Sequence, residues 1–239
     1  MTGTSGKQLH LGNHIEQSEA PSPPAPGLRD INLTTLKGRC DTSRYLTPHS
    51  DIVALMVLEH QTEMHNRITR ASFLTRMALY EETEINKALG RPVGEHSEST
   101  LSRIKSAGEP LLKYLLFCGE ARLTDRIQGT STFADEFAQR GRCDPPGRSL
   151  RDLDLQRRLF RYPASYLIYS PAFDALPEPV RSYVLQRLWE VLTGKDTTPE
   201  FAHLSAADRR AIREVLVATK PGLPLYWQTP PAPARESKK

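Results

Sequence analysis

Residues 47–90 read TPHSDIVALMVLEHQTEMHNRITRASFLTRMALYEETEINKALG, and the pattern predicts one long helix over about 48–89. Thr47 is placed as its N-cap and Pro48 at the first helical position, where a missing N–H costs nothing. Gly90 followed by Pro92 stops it. Every residue from Ile52 to Leu58 is apolar, so this part is expected to have no solvated face and to form the buried spine of a bundle. Into that spine the chain sets Glu59, His60, Glu63, Met64 and His65, its densest group of ligand-type or acid–base side chains.

Working outward, Ser97 or Ser99 caps a second helix whose apolar positions begin at Leu101 and Ile104. Gly108 and Pro110 are expected to break or kink it before the apolar run LLKYLLFC. The two helices then form an antiparallel hairpin. A short helix is placed at 133–139, and another at 150–161 from the spacing of Leu150, Leu153, Leu155, Leu159 and Phe160. Pro177 and Pro179 open a helix that runs through Val184, Leu188 and Leu192 to Gly194. Ser205 and Asp208 read as a capping box for a last helix over 206–219, stopped by Lys220-Pro221-Gly222. Residues 28–46 read as an irregular ordered strap. The Gly-, Ser- and Pro-rich stretch 1–27 and the tail 228–239 have little to bury and read as disordered. Within the first of these, His10 and His14 read as two solvated histidines. The fold class is therefore all-α, an irregular bundle around one central helix, with the helical domain spanning 28–227. The turn-rich RGRCDPPGR places a subdivision near 141–149.

Charge and cysteine content narrow the function. The 239 residues carry 32 basic and 28 acidic side chains, interspersed, for a net charge of +4. That balance does not call for nucleic acid as a partner. Cys40, Cys118 and Cys143 form no CxxC or CxxCH, so no zinc ribbon, thioredoxin motif or covalent haem attachment lies within the chain. Cys118 reads as a buried thiol, and a Cys40–Cys143 bridge stays open for an oxidising compartment. No apolar stretch is long enough to cross a membrane, and the first residues, MTGTSGKQLHLGNH, lack the apolar core of a signal peptide. GxSxG and a Gly-rich phosphate loop are absent, which leaves hydrolase and nucleotidase readings without a motif. The arginines at 148, 151, 157, 158 and 161 read as a solvated face paired with Asp152 and Asp154.

The cluster near His60 has two readings. As a metal site it would use His60 and Glu63 with Glu59, His65 and His49 nearby, and further ligands from another helix. The order is His-x-x-Glu, not the paired Glu-x-x-His of di-iron bundles, and HExxH is absent. As a structural network, His60 and Glu63 would be held by each other, by Arg67 or by tyrosines, since buried polar groups need partners. Haem ligation through His49, His60, His65 or Met64, or through His10, is a third use of the same residues.

Three stretches are familiar as whole phrases: RYLTPHSDIVALMVLEHQTEMHNRITRA, RYPASYLIYSPAFDALPEPVRSYVLQRLWEVLTGKD and LSAADRRAIREVLVATKPGLP. Together they resemble the C-terminal region of a family of large uncharacterised bacterial exported proteins that often carry c-type cytochrome features upstream. The opening TGTSGKQLHLGN is similar to a segment that continues a preceding domain in such proteins. The resemblance implies a C-terminal part of a longer protein, a periplasmic or cell-envelope location, and a haem- or cytochrome-bearing domain or protein as partner. The function expected is a non-catalytic helical accessory or interaction domain of a haem- or redox-associated envelope protein. The alternative is a metal- or haem-binding protein, or a metal-dependent enzyme, built on the cluster at 59–65.

Overall fold

A computed structural model of the chain describes residues 1–8, 32–92, 94 and 96–228. In chain order these form β1 (Gly3–Thr4), α1 (Ile52–Leu89), α2 (Glu98–Leu115), β2 (Gln128–Gly129), α3 (Phe133–Gln139), α4 (Pro171–Asp174), α5 (Glu178–Leu192) and α6 (Ala206–Thr219), with 3-10 turns at Tyr166–Tyr169, Pro199–Phe201 and Leu225–Gln228. The fold is all-α, with one small antiparallel pair, β1–β2. The chain packs as two units, one from 1–62, 119–141 and 151–161, the other from 63–118, 142–150 and 162 onward. No helix among the described residues is long and apolar enough to cross a membrane.

In the first unit α1 begins at Ile52, four residues later than expected, and the cap is Asp51. Its Oδ1 accepts from the Val53 and Ala54 amides at 2.8 and 3.2 Å. Thr47 does not cap because the chain before Asp51 is already committed elsewhere. The Pro48 carbonyl accepts from the Leu36 amide, and the Ser50 carbonyl from the Thr2 amide. Ile52 and Val53 pack with Ile127, and Met56, Leu123, Phe133, Leu153 and Leu155 close over them. Leu58 departs from the expected spine, being 56% exposed.

Residues 1–8, which composition assigned to the arm 1–27, are part of this unit. Gly3 pairs with Gly129 and Thr4 with Gln128, and the Thr2 carbonyl accepts from the Ile52 amide at 2.8 Å. Thr2 and Ser5 are buried. Small polar residues are held here through their backbones, a contribution that counting apolar side chains does not register. The His10 and His14 reading, with the rest of that arm and the tail from 229, lies outside the described residues.

The expected helix over 150–161 is absent. Residues 153–160 form a tight turn closed by a Leu153–Phe160 antiparallel bridge. The Asp154 carboxylate takes the Gln156 and Arg157 amides at 2.9 and 2.8 Å, and Leu155 sits at φ 56°. An Asp that captures the amides two and three residues on offers the backbone an alternative to a helix. The apolar spacing imitated helical period, and the turn chemistry won.

In the second unit α2 is capped by Ser97 and runs unbroken through Pro110. Pro110 faces solvent, while Leu111, Leu112 and Leu115 are fully buried. Gly108 lets α2 approach α5 closely: a Cβ there would stand 2.6 Å from Tyr183 Cδ1 and 3.3 Å from Val184 Cγ2. Ser205 and Asp208 form the capping box of α6. From the same helix the Arg209 guanidinium donates to the carbonyls of Val191, Asp196, Phe201 and Leu204, which serves the exposed carbonyl end of α5.

Candidate functional site

The residues singled out by sequence are dispersed by the helix that carries them. At about 100° per residue, Glu59 and Glu63 share a flank of α1, His60 lies off to one side, and His65 points away from all three. His60 is buried and meets Phe160 edge-on, with ring centroids 5.5 Å apart. Burial alone pushes its imidazole down to about 4, so the ring is neutral at neutral pH. Glu63 is half-buried and pairs with Arg67 one turn on, at 2.6 Å. Glu59 is exposed and Met64 fully buried. His49 keeps a buried Nδ1 with no hydrogen-bond partner among the described residues. Nowhere in the described residues do three or more His, Cys, Asp or Glu side chains converge as a metal site would require.

The strongest polar nodes lie elsewhere, and each joins elements. Asp51 takes five donors: besides the two amides at the start of α1, its Oδ2 accepts from the Thr130 and Ser131 amides and from the Ser131 hydroxyl at 2.9, 2.9 and 2.7 Å. Burial alone would raise its carboxyl, but the Ser131 and helix-start hydrogen bonds outweigh it and hold it low. Glu82, buried on α1, accepts from the Ser97 amide at 2.6 Å and faces His96 Nδ1 at 2.6 Å. Burial opposes its ionisation, yet these bonds hold it down to about 2. On α5, Arg187 reaches Glu109, Glu190 and Asp196 at 2.8, 2.8 and 2.6 Å, and Tyr183 donates to the same Glu109. That network borders a cleft of about 500 Å³ with Lys195, Thr197 and Thr198, where each nitrogen of the Arg187 guanidinium already holds a carboxylate. A second cleft of about 440 Å³ in the first unit is lined by Arg126, Gln128, Ser131, Asp135, Asp154 and Gln156. Its serine is committed to Asp51 and its Asp154 to a turn. Burial pushes the Cys118 thiol up to about 11, which keeps it protonated at neutral pH. None of the three cysteines is in a disulfide bond, and Cys40 and Cys143 lie at the surface.

One apolar line has no partner among the described residues. Along α1, Met64, Ile68, Ala71, Thr75 and Ala78 are buried on one side. On the opposite side Phe73, Met77 and Tyr80 are 61%, 39% and 69% exposed, spaced four and three apart, so they stand in one line. Arg70 and Glu84 extend the line at both ends, both exposed. Sequence reading passed over this seam because the buried and exposed stripes together make α1 look apolar nearly all round. The recoverable signal is the 3-4-3-4 spacing of 70, 73, 77, 80 and 84, the heptad seam of a helix that meets another helix. Compared with protein-family models, curated proteins and solved structures, the chain matches none.

Proposed function

We propose that the chain is a non-catalytic helical interaction module whose contact surface is the outer face of α1, where it receives an apolar helix of a partner chain. The observation that carries this reading is the line Phe73, Met77 and Tyr80, apolar and exposed opposite the face that α1 buries. A helix that only bounds a fold carries Lys and Glu on its outer side, and an ordered apolar line there marks an interaction surface. The partners of the His60 and Glu63 side chains fit the same reading. Phe160 on one and Arg67 on the other are what a structural network uses. In the setting that the resemblance implies, the assembly served is a haem- or redox-bearing unit of the bacterial envelope, and the module adds a docking helix to it without chemistry of its own.

The test places a photo-crosslinking amino acid at position 77 of the full chain. The expected result is one discrete adduct, mapped by mass spectrometry to a single helical peptide and lost when Phe73→Ser and Tyr80→Ser are added. An absence of adduct, or a smear unaffected by the two serines, overturns the reading. Circular dichroism of the serine variant checks that the fold survives, as it should, because neither side chain is buried in the folded chain.

A further inference from the structure

Resting on that reading, we infer that the helix received by the outer face of α1 is α1 of a second copy of this chain, running antiparallel about a two-fold axis near Met77. Met77 lies at the middle of the exposed seam, with Arg70 seven residues before it and Glu84 seven after. Rotation by a half-turn about that point sets Met77 against the partner's Met77, each Phe73 near a Tyr80, and each Arg70 against a Glu84. The face is thus complementary to itself, which an isologous two-fold contact requires. Both charges are free for the purpose, since neither Arg70 nor Glu84 makes an ion pair among the described residues, whereas Glu63, Glu81 and Glu82 of the same helix are paired with Arg67, Arg103 and His96. A parallel arrangement in register would instead oppose Arg70 to Arg70 and Glu84 to Glu84. Charges at the edges of a helix pair select orientation in this way. The seam from Arg70 to Glu84 spans roughly 21 Å of helix, so the contact belongs to the small and reversible class of interfaces.

The experiment is sedimentation equilibrium of the full chain over about 1 to about 300 µM, a range that brackets small, transient contacts. The unsubstituted chain is expected to shift from monomer to dimer within it. Arg70→Glu and Glu84→Arg, each placing two like-charged pairs in the dimer, are expected to weaken association by about tenfold or more. The double variant Arg70→Glu/Glu84→Arg, and an equimolar mixture of the two single variants, are expected to recover it. Both substitutions fall on exposed side chains, so unfolding does not confound them, and circular dichroism checks this directly. A chain that stays monomeric throughout overturns the inference, as does a dimer indifferent to both single reversals. Failure of the double variant to recover overturns the antiparallel register. A monomer whose position-77 adduct maps to a different protein leaves the interaction module standing and removes only the second copy as its occupant.

Discussion

Asp51 is the side chain on which the first unit turns, because one carboxylate both starts α1 and ties it to the loop at 130–131. Asp51→Ala removes the helix cap and leaves the Thr130 and Ser131 amides without an acceptor, so a loss of about 2–4 kcal/mol is expected in urea unfolding. Asp51→Asn separates the two roles. Its carbonyl oxygen keeps the cap, but its amide then faces two N–H donors, so the variant should fall well below the unsubstituted protein. An Asn variant of full stability would reduce Asp51 to a cap alone. Gly129 is the reason the contact is so close, since a Cβ there would collide with the Asp51 carboxylate. A sequence reader has no means of joining Asp51 to residues about eighty positions away. The same limit hid Glu82, whose partners His96 and Ser97 lie across the α1–α2 loop, while His60 and Glu63, conspicuous by spacing, meet Phe160 and Arg67.

At the scale of elements, what was legible came from local chemistry. The Ser205–Asp208 capping box, the Ser97 cap, the stop at Gly90 and the Pro-led start of α5 all appear where sequence puts them. The start of α1, the continuity of α2 through Pro110 and the turn at 153–160 did not, because each is decided by a partner element or by a side chain competing for backbone amides. Gly108 illustrates the first cause. In an isolated helix Gly→Ala is stabilising by roughly 1 kcal/mol, but here the added methyl meets Tyr183 at 2.6 Å. Gly108→Ala is therefore expected to destabilise the chain by about 1–3 kcal/mol, and a gain in denaturant midpoint would refute the close α2–α5 approach. β1 illustrates the same cause through its backbone. Deleting residues 2–8 removes the hydrogen bonds that Thr2 and Gly3 make with Ser50, Ile52 and Leu33. At about 1 kcal/mol each, a fall in melting temperature of several degrees is expected by calorimetry, and an unchanged transition would show the strand to be dispensable.

At the scale of the whole molecule, the buried ionisable groups set how stability responds to pH. Asp51, Glu82, Asp144, Asp154, Glu190 and Asp196 are all held below the ordinary carboxylate range. Burial opposes this in each, and hydrogen bonds to serines, arginines, histidine or backbone amides outweigh it. Their contribution is present above about pH 4.5 and is lost as they take up protons below it. His60 acts earlier. Its folded value of about 4 lies below the 6.5 of the unfolded chain, so the unfolded state binds the proton first. Stability is complete above pH 6.5 and declines as pH falls toward 4, by about 3 kcal/mol over that window. On the alkaline side burial raises Cys118 from 9.0 to about 11 and raises Tyr183 as well, so stability is full below pH 9 and declines above it. The unfolding free energy from urea titrations should thus be level between about pH 6.5 and 9, with an acid limb that begins well before carboxylates titrate. His60→Leu keeps an apolar contact for Phe160 and removes the only shifted imidazole among the described residues, so its acid limb should begin near pH 4.5 instead. Coincident acid limbs for the two proteins would mean that His60 is not held neutral by burial, and would reopen it as a charged or ligating group.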